Sequence, residues 1–231
     1  MSITLYKRGS RGEVVKQIQK ALYGAGYPTG VIDGVYGEMT ENAVRQFQKA
    51  KGLKADGIVG PATLAMLFPQ RLKKSHRTIK EIIVHCTADL EGQDKSIEDI
   101  RRDHKAKGWG DIGYHYVIDR KGIIHNGRDV EYAGVHCKGH NQYSIGVAYI
   151  GGLENKPGVP YSKQKPKDTR TLSQKAALLS LLMDLRKLYP NAKIIGHRDT
   201  SPDLNGNGIV EPCEFIKACP SFDVKTEYRK I

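Results

Sequence analysis

No stretch of about 18 consecutive apolar residues occurs in this sequence, so a membrane-spanning helix is not expected. The opening segment, MSITLYKRGSRGE, lacks the apolar core of a secretory leader. The expectation is therefore synthesis in the cytoplasm, with any later exit depending on a separate pore protein. Cysteine is scarce. The four thiols, at positions 86, 137, 213 and 219, do not form a spaced disulfide framework, and no required disulfide is expected. No HExxH motif occurs, which removes one common zinc-peptidase arrangement. The composition also lacks the signature of disorder, because 39% of the 231 residues are hydrophobic and fall in periodic segments.

Negative charge is in deficit. The chain carries 37 Lys and Arg against 25 Asp and Glu, a formal charge of +12. Residues 1–68 hold nine basic and five acidic side chains, so no single tail carries the excess. Long-range attraction to an anionic polymer is not chemically selective, and a solvated lysine-rich surface explains the charge equally well. A nucleic-acid partner has only this charge in its favour. No reading helix or aromatic platform accompanies it, and none is expected to be bound.

Three residues suit zinc. His85 sits in EIIVHC, an apolar run that reads as a buried strand, and His197 sits in AKIIGHRD at the end of another. Cys219, in KACPSFD, precedes a proline and is expected at a helix end, where its thiolate is held still. Two imidazoles and a thiolate leave one tetrahedral position for water, the pattern of catalytic zinc. Each residue alone has a duller reading, as a hydrogen-bonded core histidine or a small buried thiol.

The motifs VHCTA (84–88), DIGYHYVID (111–119), AGVHCKGHN (133–141), SIGVAYIGG (144–152) and KACPSFD (217–223) together resemble the type 2 N-acetylmuramoyl-L-alanine amidases. Within that group they are most similar to the small phage zinc amidases, kin to the peptidoglycan recognition proteins. The resemblance covers roughly residues 77–228. It implies zinc on His85, His197 and Cys219, assistance from Tyr114 and Lys217, and a place for His136 along the substrate groove. Residue chemistry agrees as far as it goes. Zinc lowers the pKa of water to about 7 and polarises a carbonyl. Lys217, two residues before Cys219, can set a cation beside a tetrahedral oxyanion. The remaining histidines, 76, 104, 115, 125 and 140, need only surface or packing roles.

Residues 1–68 read as a small all-α domain of three helices. Ser10 and Glu13 have capping-box spacing ahead of Val14, Val15, Ile18 and Leu22. A second helix runs over about 40–51 with Ala43, Val44 and Phe47 inward, and a third starts at Pro61 with Leu64 and Leu67. Between them DGVYGEMT (33–40) recurs as DGIVGPAT (56–63), an internal repeat built on Asp-Gly turns. This DGxxGxxT pattern resembles the three-helix peptidoglycan-binding domain of cell-wall hydrolases. The resemblance implies an anchor that raises the local concentration of substrate. Asp33, Tyr36 and Asp56 are its candidate polar or stacking groups.

Residues 69–78, PQRLKKSHRT, read as a polar linker. Over 79–231 strand-like and helix-like segments alternate, with a Ser96/Asp99 capping pair and a leucine-rich helix over 173–189, so an α/β domain with a mixed central sheet flanked by helices is expected. Between His197 and Lys217 the segment DLNGNGIVEPCE (203–214) fits the calcium-loop spacing. Asp203, Asn205, Asn207, the Ile209 carbonyl and Glu214 stand at the ligand positions, with Gly208 at the sharp turn. A structural calcium clip and a metal-free Gly/Asn turn both remain open. Cys213 is expected to be buried. The function expected is that of a monomeric, zinc-dependent wall amidase with peptidoglycan as partner. A recognition protein that binds without cutting, and a zinc peptidase of the stem peptide, are the alternatives.

Overall fold

The computed structural model describes residues 5–68 and 72–231, which form two compact units, one within 1–71 and one within 72–231. No helix among the described residues is long and apolar enough to cross a membrane.

The first unit contains three helices, α1 (Glu13–Gly24), α2 (Glu38–Ala50) and α3 (Pro61–Leu67). Val15, Ile18 and Leu22 of α1 pack with Ala43, Val44 and Phe47 of α2 around Tyr36 and Val59, as helical spacing requires. Val14, expected inward, is 40% exposed, because one residue further round a helix turns the side chain by about 100°. Ser10 does not cap α1. Gly12 is the N-cap, and the Ser10 hydroxyl instead accepts from the Lys7 amide at 3.1 Å.

Each repeat copy closes on a buried glutamine that the sequence pattern did not single out. The Gln48 amide group donates to Asp56 Oδ1, the Ile58 carbonyl and Thr63 Oγ1, and its Oε1 accepts from Gly57 N at 2.9 Å. Gln19 repeats this with Asp33 Oδ1, the Val35 carbonyl, Thr40 Oγ1 and Gly34 N. Gly34 and Gly57 sit at φ 80° and 70°, where a side chain is strained, which explains the Asp-Gly pair. Tyr36 is only 1% exposed and donates its hydroxyl to the Gly57 carbonyl, so it belongs to the core and is not a surface stacking group.

The second unit is a five-stranded mixed sheet of β1 (Glu81–Cys86), β3 (Tyr116–Ile118), β4 (Ile124–Asn126), β5 (Ser144–Tyr149) and β7 (Lys193–Gly196), in the order β4-β3-β5-β1-β7. Only the β3–β4 pair is antiparallel. A separate two-stranded ladder joins β2 (Asp89–Leu90) to β6 (Gly152–Leu153). Helix α5 (Leu172–Leu188) covers one face with Ala177, Leu178, Leu181, Leu182 and Leu185 against Ile82, Val84, Val147 and Tyr149. Each such leucine contributes roughly 1.5–3 kcal/mol of burial. Ile100 of α4 (Ile97–Ala106) lies with Val117, Ala148 and Ile150 on the other face. The expected Ser96–Asp99 capping box is present. A short helix, α6 (Val224–Glu227), ends the chain's regular structure and packs on β7.

Of the stretch read as a linker, residues 69–71 lie outside the described residues, and the rest packs into the second unit. Leu72 meets the main core, and the Ser75 amide donates to the Tyr189 hydroxyl at 2.7 Å. Arg77 donates to five carbonyls, those of Val130, Tyr132, Asn141, Gln142 and Ser144. Its guanidinium fork gathers the two ends of the 130–144 segment, a job a single cation does because all five acceptors carry partial negative charge.

Replacing Gln48 with Leu leaves the Gly57 amide without its partner, while the Ile58 carbonyl keeps the Gly60 amide at 3.1 Å, and should cost about 1–3 kcal/mol in the first unit. Hydrogen exchange of the full chain should show lost protection over residues 48–63 with residues 81–149 unchanged. Unaltered protection at Gly57 would refute the keystone role.

Candidate metal centre

Strand pairing builds the centre. In β1, Ile82, Val84 and Cys86 face α5, so Ile83 and His85 face the other way by the period-two rule. The parallel β1–β7 register aligns Val84 with Gly196, and the next residue along each chain is a histidine, His85 still on β1 and His197 just past the end of β7. His197 opens a 3-10 turn, His197–Thr200, fixed by Gly196 N to Asp199 Oδ2 at 2.7 Å and Thr200 Oγ1 to the His197 carbonyl at 2.8 Å. His85 Nδ1 and His197 Nδ1 stand 3.1 Å apart.

Cys219 completes the group, though not from a helix end. It lies in a turn whose Pro220 carbonyl accepts from the Tyr149 hydroxyl and whose Cys219 carbonyl accepts from Arg198 N, both at 2.7 Å. Its Sγ accepts from Cys86 N at 3.3 Å and lies 3.8 Å from His85 Nδ1. Among the described residues, His85, His197 and Cys219 form the group able to hold a metal ion, with ligand atoms all within 4.8 Å. A tetrahedral zinc, with bonds of about 2.0–2.1 Å to nitrogen and 2.3 Å to sulfur, separates two nitrogens by about 3.3 Å and nitrogen from sulfur by about 3.5 Å. The donor set and spacing therefore fit zinc.

The electrostatics suit a dication. Burial, the largest cause, together with neighbouring imidazole charge holds His85 well below 6.5, and burial beside Lys217 brings His197 down to about 4. Both are neutral at neutral pH, with a lone pair free for a metal. The Cys219 thiol is pushed up, first by its contact with the Cys86 thiol and then by burial. A bound dication reverses that, since cysteine ligates as thiolate. Burial, and then negative charge on Cys219, drives the Tyr114 hydroxyl upward too, so Tyr114 keeps its proton as a donor. Its ring centroid lies 5.3 Å from that of His85.

A cleft of about 580 Å³ opens beside His197, lined by Trp109, Lys138, Thr200, Ile216 and the exposed Lys217 among others. His136 borders it too, but is 8% exposed, and both its ring nitrogens are engaged inside the protein, with His85 Nε2 at 3.0 Å and Ser144 Oγ at 3.3 Å. The Asn141 side chain holds the turn beneath it by accepting from the His136 and Cys137 amides. Neither Ser144 nor Arg77 carried a sequence signal beyond a strand start and a basic stretch.

The other histidines serve elsewhere. His104 accepts from Gly113 N and lies against Trp109, and His115 joins Gly146 N to the Tyr132 carbonyl. His76, His125 and His140 pair with Glu131, Asp119 and Glu81.

In the 203–214 loop, the side-chain oxygens proposed for calcium are taken by backbone amides. Asp203 accepts from Gly206 and Gly208, Asn205 from Asn207, and Asn207 from Ile209. Glu214 accepts from Leu204, Asn205 and Glu211. The loop clips itself shut, and the calcium expectation finds no support in it. Cys213, expected inside, is exposed because the 3-10 turn Pro212–Glu214 turns Glu214 inward instead.

Residues 11–67 match the family model of a peptidoglycan binding domain, and residues 75–208 match that of N-acetylmuramoyl-L-alanine amidase. The endolysin of Klebsiella phage KP32 is 37% identical over 150 residues, 65% of this chain and 85% of that protein. The endolysin of Escherichia phage T7 is 36% identical over 157 residues, 68% of this chain and 90% of that protein. The amidase match takes in His85, Tyr114, His136 and His197 and stops before Lys217 and Cys219, whose place beside them rests on the geometry.

Burial is the largest cause holding His104 and His115 at about 4. The folded state thus binds fewer protons than the unfolded one, so their contribution is complete above about 6.5 and is lost as pH falls toward 4. The melting temperature of the second unit should fall steadily from pH 6.5 to 4, as read by circular dichroism. A flat profile would contradict neutral burial of both rings.

Proposed function

This chain belongs to the N-acetylmuramoyl-L-alanine amidase family, and from that premise we propose a zinc-dependent reaction in which His85, His197 and Cys219 hold the ion while Tyr114 and Lys217 act on the substrate. It is a modular endolysin of phage type that hydrolyses the amide between N-acetylmuramic acid and L-alanine in bacterial peptidoglycan and so lyses the cell. The observation that carries the zinc assignment is the convergence of two imidazole nitrogens and one sulfur within 4.8 Å.

When bound, zinc supplies Lewis acidity and a water that ionises near neutral pH. The protein's own groups do the rest. His85 and His197 arrive neutral, so neither has to shed a proton first. The substrate lies along the cleft beside His197, where the Lys217 ammonium faces the negative charge that develops on the amide oxygen. Tyr114, protonated and against His85, donates a hydrogen bond to the tetrahedral carbon's oxygen. The first unit, matched over 11–67, holds the enzyme on wall polymer and raises the effective concentration of scissile amides. Synthesis in the host cytoplasm and passage through a pore made by another protein complete the proposal.

Digestion of purified peptidoglycan should release new L-alanine amino termini, identified by mass spectrometry, and both a zinc chelator and Cys219→Ser should abolish them. Lys217→Ala and Tyr114→Phe should each lower kcat by about 10²–10³ with KM little changed. Cuts elsewhere in the stem peptide would instead mark a peptidase, and wall that is bound but undigested would mark a recognition protein.

A further inference from the structure

A hydroxyl has one proton to give, and this fixes the direction of a buried chain of hydrogen bonds behind the metal centre. The Ser144 hydroxyl lies 2.8 Å from the His140 carbonyl, which can only accept, so its proton points there. Its other contact, with His136 Nε2 at 3.3 Å, therefore needs an N–H on that nitrogen. A neutral His136 protonated at Nε2 has a lone pair at Nδ1, and 3.0 Å away stands His85 Nε2, which must then be the donor. His85 protonated at Nε2 presents its Nδ1 lone pair to His197 and Cys219.

The rest of the local structure is shaped around this chain. Gly146 lies inside fully buried β5, where glycine weakens a strand, and Gly134 lies on the facing loop. A Cβ at either position would overlap the His136 ring. Asn141 fixes the backbone at His136, and Arg77 holds the Ser144 carbonyl and the Asn141 carbonyl from outside. A ring so enclosed, with both nitrogens committed, has none left for substrate.

We propose that His136, held by Ser144, is a positioning residue that sets the tautomer and ring orientation of His85, so that the Nδ1 lone pair faces the metal centre. This rests on reading His85, His197 and Cys219 as ligands. It replaces the substrate-contact role expected for His136. Partners behind a ligating histidine normally change metal affinity by about 10–100-fold. A histidine in that place, anchored through a serine to a carbonyl, can satisfy the requirement without bringing a charge into the core.

The test is metal binding and tautomer state in the full chain, independent of turnover. Long-range proton–nitrogen spectra of the zinc-free protein should show His85 and His136 both protonated at Nε2. Cobalt titration should give a thiolate charge-transfer band in the wild type and none in Cys219→Ser. His136→Leu should bind cobalt about 10–100-fold more weakly, with His85 in mixed tautomers. His136→Asn, whose amide oxygen can accept from His85 Nε2, should recover part of the loss, and Ser144→Ala should loosen the tautomer preference with the fold intact. A charge-transfer band that persists in Cys219→Ser would overturn the ligand assignment itself. If that band is lost in Cys219→Ser while His136→Leu keeps wild-type cobalt affinity and His85 purely protonated at Nε2, the ligands stand and the positioning role falls.

Discussion

The parallel register between β1 and β7 is the constraint on which the catalytic unit depends. Val84 pairs with Gly196, and the next residue along each chain is a histidine, so residues 112 apart in sequence deliver His85 and His197 to one point. Ladder hydrogen bonds and the leucine face of α5 hold that register, because a slip by one residue would turn His85 into the apolar core beneath α5 and turn Val84 and Cys86 out of it. Cys219 is then brought up by its own backbone and sulfur contacts with β1 and with the turn after β7. The centre sits at the carboxyl ends of parallel strands, where α/β sheets leave a crevice.

Around that frame, buried and half-buried polar side chains do the locating. Arg77 gathers five carbonyls of one loop, Asn141 caps the turn that carries His136, and Gln19 and Gln48 each close a repeat in the first unit. All act on backbone groups, and where such a group is buried and has no second partner, as with the Gly34 and Gly57 amides, leaving it unpaired costs about 1–3 kcal/mol. The sites they brace are loops, which lack the ladder bonds that make strands self-supporting. The 203–214 loop follows the same principle, with Asp203 and Glu214 accepting from its own amides.

Much of this was legible in the amino-acid order. Apolar alternation in EIIVHC marked β1, the Ser96–Asp99 pair marked the start of α4, and the DGxxGxxT repeat marked the turns of the first unit. His85, His197 and Cys219 were chosen by chemistry and motif, and the fold brings them together. Illegible were those roles in which one side chain serves distant backbone. Arg77 read as linker because a basic residue in a polar stretch looks the same whether it meets water or five carbonyls. Gln19 and Gln48 looked like polar residues on amphipathic helices, yet both are buried. Cys219 was expected at a helix end, since a proline stops a turn as readily as a helix.

By itself the sequence determined the two-unit plan, the strand that carries His85, the helix that covers the sheet, and the identity of three residues able to bind zinc. These follow from local pattern and side-chain chemistry, which need no knowledge of distant neighbours. Tertiary structure alone decided which nitrogen of His85 faces the centre, which groups meet the two nitrogens of His136, and that the 203–214 oxygens accept from their own loop's amides. Hydrogen bonds have direction, and a direction is set by the partner at the far end. For His85 that chain ends at the His140 carbonyl, reached only through the folded loop.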